Sequence, residues 1–141
     1  MFKNLTTLLL EQSNRKFKFV VHAHYAKKAG LHFDLRIEKS NGKLDSWAIR
    51  KGIPMKPGVK HLAIKQPVHD RKWLTIKGNY KGDPGSEYGA GRLEIWDTGT
   101  CYRLTDKLND VVFLIVSAKK MKGKYVLHRM RNNDWILFKV K

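Results

Sequence analysis

The sequence predicts a mainly β chain, folded as a compact, closed or nearly closed antiparallel β-barrel with one short N-terminal helix. Three observations support this prediction. Short segments with alternating apolar and polar residues follow one another from Phe17 onward. Gly, Pro, Asn and Asp turn signals separate these segments. The 141 residues suffice for one domain with a real core. We expect a single domain over 1–141, with helix and lead-in over 1–16 and the barrel over 17–141.

The predicted elements begin with a helix over 4–12, where leucines recur at helical spacing and Asn4 or Thr6 can serve as the N-cap. Ten strands follow, and tight turns such as Asn41-Gly42 join them. This many short strands with one helix favours a closed antiparallel sheet over an α/β fold. The predicted strands are 18–24, 31–39, 44–50, 61–66, 73–78, 91–97, 100–104, 111–118, 124–130 and 135–140.

The charge of the chain indicates a polyanionic partner. Lys and Arg number 29 and Asp and Glu number 12, so the net charge is +17. Such an imbalance in a small domain attracts nucleic acid. An anionic membrane surface is the rival partner, but binding to it requires a basic amphipathic helix, and here the charges are spread through strand-like sequence. We therefore expect nucleic acid as the partner and no membrane.

Cysteine content and hydropathy bear on the compartment. Cys101 is the only cysteine, so neither a disulfide framework nor a thiolate metal cluster is expected. A cytoplasmic location is the default for such a chain. The apolar run Leu8 to Leu10 ends at Glu11, which does not suggest a signal peptide. The longest aliphatic and aromatic run, 111–116, is too short to span a bilayer.

The segment 31–38 alternates strictly, so its polar side chains His32, Asp34, Arg36 and Glu38 share one face of a strand. Neighbours on that face lie roughly 6.5 to 7 Å apart, within reach of one small anion or metal-bound group. A solvated polar face on a half-buried strand is the alternative interpretation. This segment alone does not decide between the two.

His24 favours a functional site, because it ends an apolar run eight residues before His32 and precedes a turn-like segment. A connection this short can bring His24 beside His32 and Asp34. Two imidazoles and one carboxylate with open coordination positions suit Mn, Fe or Zn. Arg36 would then supply a fixed fork for a phosphate or carboxylate.

Other candidate groups lie further along the chain. Lys51 follows a predicted strand and precedes Gly52, so its ammonium either faces a cleft mouth or is simply solvated. His61 and His69 bracket another strand, and His69 beside Asp70 is either an oriented proton donor or an ordinary loop histidine. The Gly-rich segment 82–91 lacks the ending of a P-loop and is interpreted as a turn.

Taken in order, these motifs resemble the 3'-phosphoesterase domain family of bacterial DNA ligase D and its stand-alone members. The resemblance extends from about Phe17 to Lys139. It is carried by Phe-Val-Val-His-Ala-His-Tyr-Ala at 19–26 and Gly-Leu-His-Phe-Asp-Leu-Arg-Ile-Glu at 30–38, and continues through 46–52, 57–58, 62–64, 87–91, 95–97, 122–125 and 134–139.

The resemblance implies a compact β-barrel enzyme that uses Mn, with Zn or Co as alternatives, to trim the 3' ends of DNA or DNA/RNA primer-templates. Such enzymes remove a terminal ribonucleoside and then the 3'-phosphate, leaving a 3'-hydroxyl. Carried over by position, the metal ligands would be His24, His32 and Asp34. The phosphate-binding residues would be Arg36, Lys51, His61 and His69, with Arg36, Lys51 and His69 also counted as catalytic.

The chain departs from the family pattern at four places. The loop between His24 and His32 is two residues longer than in the ligase D proteins, a variant associated with stand-alone members. His61 stands where the family has an arginine, Pro67-Val68 replaces Glu-Asp before His69, and Trp73 replaces a tyrosine. A separate DNA ligase or polymerase is the expected protein partner, and the chain is expected to be a monomer. Two other functions remain open. One is a non-catalytic nucleic-acid-binding β-barrel accessory to a ligase or polymerase, and the other is an iron oxygenase with the same donor set.

Overall fold

The computed structural model describes residues 15–85 and 89–141. Within those two stretches, no helix has the length and apolar character needed to cross a membrane. The predicted mainly β class is confirmed, whereas the helix predicted over 4–12 lies outside the described residues. The strands are β1 Lys16–Ala26, β2 Gly30–Glu38, β3 Leu44–Ile49, β4 Lys60–His69, β5 Gly78–Tyr80, β6 Gly91–Lys107, β7 Asp110–Ser117, β8 Lys124–Arg131 and β9 Asp134–Lys139.

The nine strands form one antiparallel sheet that closes on itself. Their order is β1-β2-β3-β4-β9-β8-β7-β6-β5, and β1 also pairs with β6. That additional pairing closes eight of the strands into a ring. The short strand β5 is not part of the ring and pairs only with the start of β6. Closure leaves β1 hydrogen-bonded on both sides, which fixes the strand that carries His24.

Two of the predicted strands, 91–97 and 100–104, are one long strand, β6. The sequence suggested a break at Thr98-Gly99, but both residues pair with β1. Gly99 is needed here for space, since a Cβ at this position would overlap the carbonyl oxygen of Ser117. The glycine therefore marks a close approach of β6 to its neighbour and not a turn.

The prediction of a strand over 73–78 is wrong. Residues Arg71–Leu74 form a 3₁₀ helix, and the Asp70 carboxylate caps it by accepting a hydrogen bond from the Lys72 backbone N–H at 2.9 Å. Trp73 and Leu74 on this helix are buried against the outside of the sheet. The short apolar run therefore belongs to a helical cover and not to the ladder.

Apolar residues occupy both faces of the sheet, but the main core is the interior of the ring. Successive side chains of a strand point to opposite faces of the sheet. On β1 to β4, the residues before and after each inward-facing core residue therefore point outward. A smaller cluster outside the ring includes Val20, Leu44, Trp73, Leu74 and Leu93. All eight ring strands contribute to the interior, with Phe19, Leu35, Trp47, Ala63, Cys101, Phe113, Leu127 and Leu137 among them.

Candidate active site

Two histidines and one aspartate meet on the outer face of β1 and β2. His24 and His32 are directly opposite each other in the antiparallel register, and their ring centroids lie 4.7 Å apart. The His24 Nδ1 lies 3.0 Å from Oδ2 of Asp34, and the His32 Nε2 lies 3.1 Å from Oδ1 of the same carboxylate. The structure thus brings together the three residues that the short β1–β2 connection led us to group.

In each of the two imidazoles one ring nitrogen faces Asp34, and each ring also makes a hydrogen bond to the backbone. The His24 Nε2–H donates to the Gly89 carbonyl at 3.0 Å, and His32 makes a hydrogen bond to the Gly30 backbone. In the neutral His24 tautomer with Nε2–H, Nδ1 carries a lone pair. A lone pair that faces a carboxylate oxygen at 3.0 Å requires either a proton or a cation between the two atoms.

This donor set fits a divalent cation. One ligand atom from each of His24, His32 and Asp34 can be chosen so that all lie within 4.8 Å of one another. Metal-bound histidines usually donate their second ring N–H to a carboxylate, a backbone carbonyl or water, and His24 donates to a carbonyl here. Two nitrogens and one oxygen leave coordination positions open for substrate or water. These three residues could therefore hold a catalytic metal ion.

Arg36 extends the polar cluster along β2. Its guanidinium donates to the Ser46 Oγ at 2.6 Å and to Oδ2 of Asp34 at 3.3 Å. The Arg36 Cζ also lies 4.5 Å from the centroid of the Trp73 ring, a cation–π contact. With 1% of its surface exposed, Arg36 is a fixed positive charge beside the carboxylate.

Opposing effects set the charge states of the cluster. Burial would raise the pKa of Asp34, but hydrogen bonds from His24 and His32 and the charge of Arg36 lower it well below its usual value. Burial would likewise lower the pKa of His32, but its hydrogen bond to Asp34 raises the pKa above the ordinary value. At neutral pH the carboxylate is therefore ionised and able to act as a ligand.

A cavity of about 870 Å³ opens over these residues. Lys51 lines it, and so do Arg50 from the same turn and Lys60 at the start of β4. Among the described lining residues six are Lys or Arg, and Asp34 is the one carboxylate. The cavity therefore attracts anions, and the aspartate with its two histidines marks one point in it where a cation can bind.

His61 lies outside the described lining of this cavity. Its Nδ1–H donates to the Gly52 carbonyl at 2.7 Å, while the Gly52 N–H donates to the Ile49 carbonyl at 3.2 Å. These two hydrogen bonds hold the turn that carries Lys51. In the structure His61 thus supports a lining residue and does not itself face the cavity.

His69 is also outside the described lining, although it is close to the polar cluster. Its Nδ1–H donates to the Pro67 carbonyl at 2.7 Å, and its ring packs edge-on against Trp73 at 5.4 Å. Burial, assisted by the charge of Arg36, lowers the pKa of His69 to about 4, so this imidazole is neutral at pH 7. The neighbouring Asp70 carboxylate caps the 3₁₀ helix.

Three contributors to the site were missed by sequence reasoning: Ser46, Trp73 and the Gly89 carbonyl. Ser46 is the cross-strand partner of Arg36, a pairing that depends on the β2–β3 register, which the sequence does not fix. The carbonyl of Gly89 offers no side-chain signal. Gly89 does have a φ of +80°, and a Cβ at this position would lie 2.7 Å from the Trp73 ring, so only glycine fits.

Comparison with known proteins decides the family. Residues 22–129 match the family described as the DNA ligase D 3'-phosphoesterase domain. The chain belongs to this family. The predicted resemblance is thereby confirmed, and the match supports a phosphoesterase activity. The cluster of His24, His32 and Asp34 lies inside the matched segment.

Relatives of this 3'-phosphoesterase domain are multifunctional non-homologous end joining proteins named LigD. The chain is 34% identical over 128 residues to the DNA repair protein LigD of Mycobacterium tuberculosis strain H37Rv, covering 87% of the chain and 16% of the relative. The protein of Mycolicibacterium smegmatis is 30% identical over 134 residues, covering 88% and 17%. That of Pseudomonas aeruginosa is 30% identical over 139 residues, covering 93% and 16%. The chain spans about one sixth of the length of these curated relatives.

Proposed function

We propose that this chain is a metal-dependent phosphoesterase that processes the 3' ends of DNA or DNA/RNA strands. It removes a terminal ribonucleoside and then the 3'-phosphate, leaving a 3'-hydroxyl that a DNA ligase or polymerase can use. The observation that carries this proposal is the convergence of His24, His32 and Asp34 beside a buried arginine in a basic cavity. Family membership supports the same activity.

In this proposal each group of residues has a distinct task. His24, His32 and Asp34 hold the metal ion, for which we propose Mn, with Zn or Co as alternatives that accept the same ligands. The chemistry that such an ion would supply is polarisation of the phosphoryl oxygen and activation of water. Arg36 is held by Ser46 and Trp73, so it binds the scissile phosphate without having to reorganise.

Lys51 and the surrounding lysines bind the phosphates of the strand from the rim of the cavity. This contact is electrostatic and independent of sequence, so binding weakens as salt concentration rises. We assign His61 the task of holding the Lys51 turn. His69 packs edge-on against Trp73, the ring that Arg36 also contacts, and being neutral at pH 7 it does not repel the charge of Arg36.

The test uses two primer-templates, one ending in a 3'-phosphate and one in a 3'-ribonucleotide, each incubated with and without Mn²⁺. We expect phosphate release from the first and shortening of the second, both only with the metal. His32→Ala should reduce both reactions by more than about 100-fold, since losing a ligand costs more than losing a residue that orients one. Binding of the strand should persist, because the basic residues are unchanged.

His128→Ala is the matched control. His128 also pairs with an aspartate, Asp110, but it is exposed and lies on β8 away from the cavity. This variant should process both substrates like the wild type. Strand binding without processing by the wild type would favour the non-catalytic accessory function. Equal activity of His32→Ala and the wild type would refute the proposed metal site, and turnover of a 2-oxo acid with oxygen would indicate an iron oxygenase.

A further inference from the structure

One part of the cavity is apolar although its rim is basic. Ala48 on β3 and Leu62 and Ile64 on β4 line it, and Leu62 is 55% exposed. We call these three residues the apolar strip. An exposed leucine inside a cavity that concentrates polyanions is unexpected for a surface that binds only phosphates. It suggests that the ligand has an uncharged, flat portion as well.

The strand register fixes where the strip lies relative to the metal ligands. Asp34 is directly opposite Ala48, and Ala48 is directly opposite Ile64. Adjacent strands are about 4.8 Å apart, so Ile64 lies about two strand spacings from Asp34 on the same outer face. Leu62 is two residues from Ile64 along β4 and therefore shares this face.

This row matches the order of groups in a nucleotide. A phosphate at Asp34 and Arg36 would have its sugar over β3, where the small side chain of Ala48 leaves space. The attached base would then reach β4, where Leu62 and Ile64 offer an apolar surface. Lys60 and Arg50 border the strip, and their charges complement the backbone of the strand that enters.

We propose that the apolar strip is the subsite for the nucleoside whose 3'-oxygen carries the scissile phosphate, with the sugar over Ala48 and the base against Leu62 and Ile64. The inference rests on the proposed function, because it takes the phosphate to lie at Asp34 and Arg36. Aliphatic side chains contact any base through its face, so the subsite detects the presence of a base and does not read its identity.

The experiment compares two strands of the same sequence that end in a 3'-phosphate, one with a normal terminal base and one with a tetrahydrofuran abasic residue at that position, which cannot lose its phosphate by β-elimination. We expect the wild type to prefer the normal end by about tenfold in kcat/KM, in line with one apolar contact of about 1.4 kcal/mol. Leu62→Ala should abolish this preference by slowing only the normal end, and Leu62→Met should restore it.

Val68→Ala is the matched control, since Val68 is on the same strand and 45% exposed but outside the cavity lining. Its preference should equal that of the wild type. Equal rates for both ends in the wild type, or the same loss in Leu62→Ala and Val68→Ala, would overturn the subsite.

A second measurement separates this inference from the proposed function. A strand with 2-aminopurine as its terminal base is titrated with the protein in EDTA, and the fluorescence change is followed. We expect the 2-aminopurine fluorescence to change when the wild type or Val68→Ala is added and to stay constant when Leu62→Ala is added. If no phosphate is released under any condition but this pattern appears, the phosphoesterase proposal fails and the base site stands. Phosphate release without this pattern would refute the base site and support the phosphoesterase proposal.

Discussion

The two faces of β1 and β2 are both buried, but only the outward face buries a cluster of charged side chains. On the inward face Phe19, Val21 and Leu35 have no exposed surface and pack in the interior of the ring. On the outward face Asp34 and Arg36 are exposed by 4% and 1% and contact each other. One face excludes water through apolar packing, whereas the other holds charges that their partners neutralise.

The faces also differ in what covers them. The inward face is covered by the other strands of the ring, so its burial follows from closure of the sheet. The outward face is covered by Trp73 of the 3₁₀ helix and by Gly89, which belong to the segments between β4 and β6. Inward residues should therefore determine stability, and outward residues should determine metal and phosphate binding. Substitutions that affect only one face test this division.

The largest effect is expected from Leu35→Ala on the inward face. Removing a fully buried leucine should lower the free energy of unfolding by about 2 to 5 kcal/mol. The folded protein should still bind metal, because Leu35 points away from Asp34 and Arg36. Denaturant unfolding and metal titration below the transition measure the two properties.

Leu31→Ala, on the same strand but 48% exposed, is the control and should change stability by less than about 0.5 kcal/mol. Loss of metal binding in folded Leu35→Ala would contradict the division.

Sequence alternation predicted the two faces of β2 because a period of two needs no knowledge of neighbouring strands. On the apolar face of this alternating segment, Leu35 and Ile37 are in the core, while Leu31 is 48% exposed, near the β1–β2 turn. The grouping of His24 with His32 followed from the short connection between their strands. The two faces of β2 and the pairing of His24 with His32 depend only on the β1–β2 hairpin, so both could be predicted from the sequence.

The cross-strand partner of Arg36 could not be predicted from the sequence, because it depends on the length of the loop between β2 and β3. A two-residue loop at Asn41-Gly42 would place Arg36 opposite Trp47, and the two side chains would share a face. The structure instead pairs Glu38 with Leu44, so Arg36 meets Ser46. Gly42 with a φ of +86° fits the longer loop, but the dipeptide alone allows both lengths.

The cover of the outward face was missed for a different reason. Trp73 lies in a short apolar run that fits a strand or a helix equally well, and the Asp70 cap decides for the helix. The hydrogen bond from His24 to Gly89 joins residues far apart in sequence. Local pattern carries no information on such contacts, which form only when the sheet has closed.

A smaller effect is expected from Gly89→Ala, which disturbs only the cover of the outward face. The new Cβ would lie 2.7 Å from the Trp73 ring, so the backbone must shift and the carbonyl that orients His24 moves with it. Losing such an orienting partner typically weakens metal binding by about 10- to 100-fold. Calorimetric titration of the metal-free protein with Mn²⁺ or Zn²⁺ measures the change.

Gly85→Ala is the control for backbone strain. Gly85 has a similar φ of +83°, but a Cβ there meets nothing within 4 Å. Both variants therefore carry the cost of a left-handed alanine, and only Gly89→Ala displaces Trp73. Equal metal affinities in the two variants would show that the carbonyl of Gly89 does not organise the site.

The smallest effect concerns the buried carboxylate of Asp45, which serves the fold and not the cavity. Burial would raise the pKa of Asp45, but Lys65, Arg103 and Lys39 together lower it below its ordinary value of 3.8. A carboxyl whose pKa is lower in the folded state stabilises the fold above its ordinary pKa, and this contribution is lost as the pH falls toward the lowered value.

Asp45→Asn should therefore be less stable than the wild type by about 1 kcal/mol at pH 6. The difference should shrink as the pH falls below 3.8, because the wild type then loses the same charge. Denaturant unfolding in EDTA from pH 6 to pH 2 measures this, and Asp34, present in both proteins, contributes equally to each. A difference that stays constant down to pH 2 would mean that the ion pairs of Asp45 add nothing to stability. Metal affinity at pH 7 should be the same in both proteins, because Asp45 does not line the cavity.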